Sequence, residues 1–175
     1  YKRRGFIEAE ILRDTLIFDA PNEKVAVRID LREGNQYILR SVHFEGNTVY
    51  PEEYLLRRLN VRLGEPYDVE RLEKNLNANE DQTDVASLYL DNGYLSYQGI
   101  KEEKKVGSDS VDIIVRVFEK DRFTIRRVEI IGNTKTKDKV IRRELYTRPG
   151  DYFSRSAIIR SIRGLGVLNY FNPEA

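Results

Sequence analysis

The chain has 175 residues, of which 40% are hydrophobic and 34% are charged, and 30 Lys and Arg balance 29 Asp and Glu. This composition predicts a globular protein, and a net charge of only +1 gives no sign of nucleic-acid binding. The absence of Cys excludes disulfides and thiolate metal sites, and a single His excludes a multi-histidine metal site. Because the chain has no Met and no apolar leader segment, we expect it to be a fragment of a larger protein.

An internal repeat organises the sequence. Residues 37–76 align with residues 123–162 without a gap, at a shift of 86 residues. The register matches turns as well as apolar positions, as in Gly46-Asn47-Thr48 against Gly132-Asn133-Thr134. Equivalent residues, such as Val42 and Val128, should therefore have the same secondary structure.

The repeat divides the chain into three units. We predict the C-terminal part of one repeat at residues 1–36, a complete repeat at 37–122 and the N-terminal part of a further, truncated repeat at 123–175. The first unit ends in an alternating segment, Val25 to Leu31, that has the period of a strand.

The complete repeat has the pattern β-α-α-β-β. Residues 38–45 alternate as a strand, and Pro51 suits the first turn of a helix. Asp68 is a candidate N-cap for a second helix, which should kink or break near residues 77–81. Residues 94–103 and 111–118 then alternate as two strands.

One face of the predicted sheet should form the core with the helices. We expect the strand residues Val42, Phe44, Val115 and Val117 to meet the helix residues Leu55, Leu59, Leu72 and Leu88. The turns after the first strand of each repeat are expected at Gly46, Asn47, Gly132 and Asn133. Gly46 and Gly132 should hold a backbone conformation that is costly for residues with a β-carbon.

No motif indicates catalysis. His43 lies on the strand face opposite Val42 and Phe44, with no partner nearby in sequence, so we interpret it as a surface or packing residue. No phosphate-binding loop or dinucleotide fingerprint is present. We therefore predict no catalytic residue, no metal site and no cofactor.

The charges are distributed unevenly between the units. Residues 37–122 carry a net charge of −5, and residues 123–175 carry a net charge of +6. We predict that basic side chains of the third unit face a partner, either a neighbouring domain or the rim of a membrane barrel, although an ordinary solvated face is the alternative. These are Arg126, Arg127, Arg142, Arg143 and Arg148.

The order and spacing of these motifs resemble the POTRA family, specifically the tandem repeats of BamA-type outer-membrane protein assembly factors. The motifs are Gly-Asn-Thr after the first strand, Arg-x-Gly-Glu/Asp before the second helix, and Tyr-x-x-x-Gly-Tyr at the helix end. The resemblance implies an α+β fold of tandem repeats, each a three-stranded mixed sheet covered on one face by two helices. It also implies a second strand at the sheet edge and a third in the centre.

The edge strand is the predicted binding site, because unpaired N–H and C=O groups at an edge can pair with an extended peptide. Its residues are Tyr94, Leu95, Ser96, Tyr97, Gln98, Gly99 and Ile100. Gly99 could permit a bulge, and the charged run at residues 101–105 could blunt the edge, so that a protected and idle edge remains an alternative.

The resemblance implies a periplasmic scaffold at the outer membrane. Its implied partners are unfolded outer-membrane β-barrel proteins, accessory assembly lipoproteins and a C-terminal barrel of its own chain. One alternative is the POTRA region of a two-partner secretion or autotransporter-assembly transporter. The other is a non-catalytic subunit of a cell-envelope enzyme.

Overall fold

The computed structural model describes residues 1–19, 21 and 23–168. The strands are β1 (Glu10–Asp19), β2 (Lys24–Arg32), β3 (Ile38–Glu45), β4 (Gln98–Val106) and β5 (Ser110–Phe118). The helices are α1 (Glu52–Leu59), α2 (Val69–Asn77), α3 (Val85–Asp91), α4 (Asp138–Arg143) and α5 (Arg155–Val167). In this part of the chain, no helix combines the length and the apolar character needed to cross a membrane.

The strands β1 and β2 form a two-stranded antiparallel hairpin. The alternating segment from Val25 to Leu31 lies within β2, as predicted. The register shifts between Ile11 and Arg13, which marks a bulge in β1. Several apolar side chains of the hairpin remain more than half exposed, including those of Phe18 and Val27.

The other three strands form a mixed sheet in the order β3-β5-β4. β5 lies in the centre, where it pairs parallel with β3 and antiparallel with β4. Val111, Ile113, Val115 and Val117 of β5 point to one face and are buried. This topology confirms the predicted α+β fold with a three-stranded mixed sheet.

An ion pair ties β3 to β5 at a bulge in β3, where the register shifts between Leu39 and Ser41. The Arg40 guanidinium donates to the Asp112 carboxylate (Nε–Oδ1 2.8 Å), and the Ser41 hydroxyl donates to the same oxygen at 2.7 Å. These hydrogen bonds lower the pKa of Asp112 to about 2. Asp112 is therefore held in its charged form at neutral pH.

The second helix begins where the sequence predicted, whereas α1 begins at Glu52, so that Pro51 lies at the N-cap and not in the first turn. Glu52 and Glu53 lie in the first turn of α1, near the positive end of the helix dipole. Asp68 caps α2, because its carboxylate accepts the Arg71 N–H at 3.0 Å.

The segment predicted as the second helix forms two separate helices, α2 and α3. Three helices therefore pack on the sheet, where the resemblance implied two. The helix is interrupted between Asn77 and Val85, as the interrupted apolar stripe predicted. Asp84 holds the break together, since its buried carboxylate accepts the Ser87 N–H (2.8 Å), the Ser87 hydroxyl (2.7 Å) and the Asn79 N–H (3.1 Å). A buried carboxylate with three donors is well compensated for its loss of water.

The core lies between the sheet and α1, α2 and α3. The predicted strand and helix residues all belong to one buried cluster, namely Val42, Phe44, Val115, Val117, Leu55, Leu59, Leu72 and Leu88. Because helices cover one face of the sheet, His43 on the opposite face is exposed, with its Nδ1 3.4 Å from Glu52 Oε1.

Gly46 ends β3 in a left-handed conformation, with φ +84°, and Gly132 has φ +85°. Both values confirm the predicted conformation. A β-carbon at Gly46 would also lie 2.5 Å from the Val117 carbonyl oxygen, whereas Gly132 has nothing within 4 Å. The residue after each glycine closes the turn in the same way: Asn47 donates to the Tyr50 carbonyl (2.9 Å) and Asn133 donates to the Thr136 carbonyl (3.0 Å).

The third unit contains α4 and α5 but no strand equivalent to β3 among its described residues. Val42 lies in β3, whereas Val128 lies in a segment without strand pairing, so the prediction of equal secondary structure is wrong at this position. A strand is defined by its partner. The partner of β3 is β5, and no described segment stands in the place of β5 for Val128. Residues 169–175, at the end of the predicted third unit, lie outside the described part.

The backbone of the two aligned segments nevertheless follows the same path. The Leu39 N–H donates to the Glu65 carbonyl at 3.0 Å, and the Ile125 N–H donates to the Asp151 carbonyl at 2.8 Å. These four residues are related by the 86-residue shift. The repeat therefore extends to individual hydrogen bonds.

The joints between units also repeat. The Tyr37 N–H donates to the Gly5 carbonyl at 2.9 Å, and the Phe123 N–H donates to the Gly93 carbonyl at 2.8 Å. Gly5 has φ +85° and Gly93 has φ +93°. Each glycine thus turns the chain so that its carbonyl accepts a hydrogen bond from the first residue of the following unit.

Side chains stabilise the two joints differently. At the first joint, Arg3 forms an ion pair with Glu70 (2.6 Å), and Lys105 forms one with Glu8. At the second joint, the Arg122 guanidinium carbon lies 3.3 Å from the ring centre of Tyr152.

Candidate functional site

The candidate site is the edge of the mixed sheet formed by β4. This strand pairs with β5 from Gln98↔Phe118 to Val106↔Ser110, and no other described strand pairs with it. Backbone N–H and C=O groups on its outer side are therefore open to an added strand. The structure thus has β4 at the edge and β5 in the centre, as the family resemblance implied.

The edge strand begins later than predicted. Gln98, Gly99 and Ile100 lie in β4, but the preceding residues Tyr94, Leu95, Ser96 and Tyr97 form a turn. The Tyr97 N–H donates to the Tyr94 carbonyl at 3.0 Å, which closes this turn. The strand then continues to Val106, beyond the predicted end at Glu103.

Aromatic packing explains the shifted start. The ring of Tyr97 stacks on that of Tyr89 in α3, with centroids 4.2 Å apart, and the ring of Tyr94 meets Tyr89 edge-on at 5.8 Å. Both aromatic residues therefore turn back onto the helix instead of alternating along an extended strand.

The predicted bulge at Gly99 is absent, because the pairing of β4 with β5 is continuous. Gly99 faces the helices and lies directly over the Tyr97 ring. A β-carbon at Gly99 would lie 2.5 Å from the Tyr97 hydroxyl oxygen and 3.4 Å from Leu76. Because Gly99 has no side chain, its backbone can lie this close to the Tyr97 ring.

The charged residues of β4 alternate between two faces. Lys101, Glu103 and Lys105 share the helix-facing side with Gly99, whereas Ile100 and Glu102 lie on the opposite side. The Lys101 ammonium lies 2.9 Å from Glu73 and 2.7 Å from Glu103. Because these charges are paired within the protein, they repel an incoming strand less than unpaired charges would. The charged run in the sequence had suggested a stronger repulsion.

The pKa of Lys101 reflects this network. Burial acts to lower the pKa of its ammonium, but the hydrogen bonds to Glu103 and Glu73 outweigh burial and raise it. The Tyr67 hydroxyl donates to Glu103 at 2.8 Å. Lys101 therefore stays charged, and it holds α2 against β4.

Two adjoining hollows line the space between the helices and the β4 edge. The first has a volume of about 380 Å³ and is lined by Asn77, Ala86, Leu90, Tyr97, Gln98, Gly99 and Ile100. The second has a volume of about 450 Å³ and is lined by Glu70, Glu73, Lys74, Asn77, Ala78 and Lys101. Asn77 lines both hollows, and we call the two together the β4 groove.

No pattern in the sequence indicated Asn77, Ala86 or Leu90 as site residues. They lie on α2 and α3, and only the packing of these helices on the sheet brings them to the edge strand. Asn77 was visible as an interruption of an apolar stripe, but its position beside β4 depends on the tertiary fold.

The Tyr97 hydroxyl is buried, and no described residue forms a hydrogen bond with it. The side chain as a whole is 9% exposed. Burial raises the pKa of this phenol. A buried hydroxyl without a hydrogen-bond partner destabilises the fold, and this one lies directly below the β4 edge.

The five predicted partner-facing arginines are all exposed. Three of them have acidic neighbours in the chain. Arg127 pairs with Glu129 at 2.6 Å, Arg142 with Asp138 at 2.6 Å and Arg143 with Glu144 at 3.1 Å. Their side chains are therefore partly neutralised within the unit.

Among residues 1–19, 21 and 23–168, no group of three or more His, Asp or Glu side chains could hold a metal ion.

The profile of the POTRA family, described as a surface antigen variable number repeat, matches residues 37–120 and 123–175. These two ranges make up more than half of the chain, so the chain belongs to the POTRA family.

The chain is similar to outer membrane protein assembly factors. The chain is 30% identical over 177 residues to a candidate outer membrane protein assembly factor of Treponema pallidum (strain Nichols), covering 98% of this chain and 20% of that protein. It is 25% identical over 173 residues to the outer membrane protein assembly factor BamA of Neisseria meningitidis serogroup B (strain ATCC BAA-335 / MC58), covering 98% and 21%. The chain thus spans about a fifth of the length of these relatives.

The fold agrees with a solved structure of such repeats. The crystal structure of Haemophilus influenzae BamA POTRA3-5 matches with a TM-score of 0.75 and 22% identity, covering 97% of this chain and 65% of that chain. The family match, the similar assembly factors and this fold together confirm the resemblance to a BamA-type POTRA tandem that the sequence motifs predicted.

Proposed function

We propose that this chain is a non-catalytic, periplasmic part of an outer-membrane protein assembly factor, and that it binds unfolded β-barrel proteins by strand addition to β4. The observation that carries this proposal is the open edge of β4 beside the β4 groove. The names of the similar proteins favour an assembly factor over a two-partner secretion transporter or an enzyme subunit.

Strand addition suits a receptor for many different barrel precursors. Main-chain hydrogen bonds to an edge strand depend little on the sequence of the added strand. A barrel protein consists of segments that become strands, so each unfolded precursor presents many candidate segments. An open edge of nine residues, from Gln98 to Val106, is about as long as one such segment.

The basic side chains of the third unit serve a separate contact in this proposal. Arg126 and Arg148 project from that unit together with the three paired arginines, and the unit carries a net charge of +6. We propose that this surface meets a neighbouring domain or the rim of the protein's own barrel. We also propose that the chain divides into three units, with boundaries at residues 36/37 and 122/123.

The experiment uses barrel-strand peptides of about ten residues that carry backbone N-methyl groups on alternate residues. Two complementary patterns are compared by fluorescence anisotropy with the 175-residue chain. In an added strand, alternate N–H groups point to β4 and the rest point to solvent. One pattern should therefore abolish binding, while the other leaves the affinity close to that of the unmethylated peptide.

Equal losses from both patterns would contradict strand addition, because binding would not then depend on which N–H groups face β4. Absence of binding by the unmethylated peptides would contradict the proposed function directly.

A further inference from the structure

We propose that the β4 groove selects two side chains of the added strand: a bulky apolar side chain, preferably aromatic, beside Gly99, and a polar side chain two residues further along, beside Lys101. This inference rests on the strand addition proposed above. It names the chemistry of the segment that the edge accepts.

The first half of the groove is apolar. Ala86, Leu90 and Tyr97 line a hollow of about 380 Å³ that the backbone of Gly99 borders. Burial of an aromatic side chain there would remove a large apolar surface from water. It would also shield further the region around the Tyr97 hydroxyl, which already lies out of reach of solvent.

The second half of the groove is charged but balanced. Two carboxylates, Glu70 and Glu73, and two ammonium groups, Lys74 and Lys101, line a hollow of about 450 Å³. An apolar side chain placed over these groups would take them out of water without offering hydrogen bonds, which is unfavourable. A polar side chain of either charge, or a neutral one, could replace the displaced water.

The spacing of the two halves fixes the pattern of the added strand. Gly99 and Lys101 are two residues apart and lie on the same face of β4. Side chains on one face of an added strand are also two residues apart and lie beside their neighbours on β4. The strand that fits therefore carries an apolar and a polar residue at successive positions on one face.

A continuous apolar face does not satisfy this pattern, because it would place an apolar side chain over Lys101. The segment that satisfies it is the end of an apolar face, where an aromatic residue is followed by a polar one. Transmembrane barrel strands have this pattern near the membrane interface, where an aromatic girdle borders the apolar band. We infer that the groove binds the ends of barrel strands and fixes their register.

The chain contains no Trp, so the fluorescence of a Trp-containing peptide reports on the peptide alone. Three peptides of about ten residues are compared. The first has one central Trp with Thr at the other positions of the same face, the second replaces Trp with Ala, and the third replaces every Thr with Val. Thr and Val have nearly the same shape and the same stiffness at χ1, so the third peptide changes polarity alone.

We expect the Trp/Thr peptide to bind roughly tenfold more tightly than the Ala/Thr peptide, with a blue shift of Trp emission. The Trp/Val peptide should bind more weakly than the Trp/Thr peptide, although it is more hydrophobic. Non-specific apolar binding would give the opposite order.

Ala86→Leu fills the apolar half of the groove and should remove both the preference for Trp and the blue shift. Ala26→Leu makes the same chemical change on the exposed β2 strand and should leave both unchanged. If Ala86→Leu does not fold, as judged by circular dichroism, Leu90→Ala takes its place; it removes one wall of the same hollow and should reduce the preference for Trp.

Equal affinities for the Trp and Ala peptides would overturn the side-chain selection and leave strand addition intact. Tighter binding of the Trp/Val peptide, or an unchanged Trp preference in the groove variant that folds, would also overturn it. Failure of all three peptides to bind would instead reject strand addition itself.

Discussion

The hydroxyl oxygen of Tyr97 lies 2.5 Å from the point where a β-carbon at Gly99 would stand. The two residues are separated by one position in the sequence, yet the turn before β4 folds the Tyr97 ring under the strand. Position 99 therefore has room for hydrogen alone as long as the phenol oxygen is present.

This contact predicts a coupled pair of substitutions. Gly99→Ala should lower the free energy of unfolding by about 1–3 kcal/mol, because the new methyl group collides with the hydroxyl. Tyr97→Phe removes the oxygen, which has no hydrogen-bond partner among the described residues, and should by itself be neutral or stabilising. In the Tyr97→Phe background, Gly99→Ala should cost clearly less. Urea denaturation of the four proteins measures the coupling, and equal costs in both backgrounds would show that the contact has no energetic effect.

Substitution of two glycines in the same repeat by Ala should lower the free energy of unfolding by different amounts. Gly46 has φ +84° and Gly64 has φ +80°, so an Ala at either position adopts an unfavourable backbone conformation. Only at Gly46 would the new β-carbon also lie 2.5 Å from a carbonyl oxygen, that of Val117. Gly64→Ala should cost about 1–2 kcal/mol. Gly46→Ala should cost more, and thermal unfolding of both variants gives the comparison; equal costs would rule out the clash.

Leu59 tests the core beneath the sheet. Its side chain is fully buried between α1 and the sheet, so Leu59→Ala should lower the free energy of unfolding by about 2–5 kcal/mol through lost burial and a cavity. Leu63, which is 59% exposed, serves as the control, and Leu63→Ala should change stability by less than about 0.5 kcal/mol. Chemical denaturation monitored by circular dichroism measures both. Similar small effects would mean that Leu59 contributes little to the core.

The lowered pKa of Asp112 predicts that the free energy of unfolding depends on pH. Hydrogen bonds from Arg40 and then Ser41 lower its pKa in the folded protein from 3.8 to about 2. A carboxyl with a lowered pKa stabilises the fold above its ordinary pKa, and this contribution is lost as the pH falls towards the folded value. The stability difference between the wild type and Asp112→Asn should therefore be constant above about pH 5 and shrink between about pH 4 and pH 2. Urea unfolding over this range tests it, and a difference independent of pH would argue against the lowered pKa.

The sequence predicted those features that depend on local chemistry and on the repeat. The left-handed glycines, the cap at Asp68 and the break after Asn77 all follow from residue types at fixed positions in the register. The mixed sheet followed from the family resemblance, because strand order cannot be deduced from alternation alone.

The errors arose where side-chain packing or strand pairing decides the structure. Residues 94–97 were predicted as part of the strand, but the rings of Tyr94 and Tyr97 pack on Tyr89 and hold the chain in a turn. Val128 has the apolar pattern of a strand, but no segment within the described part of the chain pairs with it. Ala86 in the β4 groove gave no signal at all, because its importance depends on where α3 lies relative to the sheet.

The joint hydrogen bonds at Gly5 and Gly93 have a geometric consequence for longer tandems. Successive units that share this backbone contact meet through their nearest neighbours, as in a solenoid. The side chains around the two contacts differ, so the rotation between units is free to differ from joint to joint. Edge strands equivalent to β4 would then recur once per unit along a tandem, and each would face its own direction.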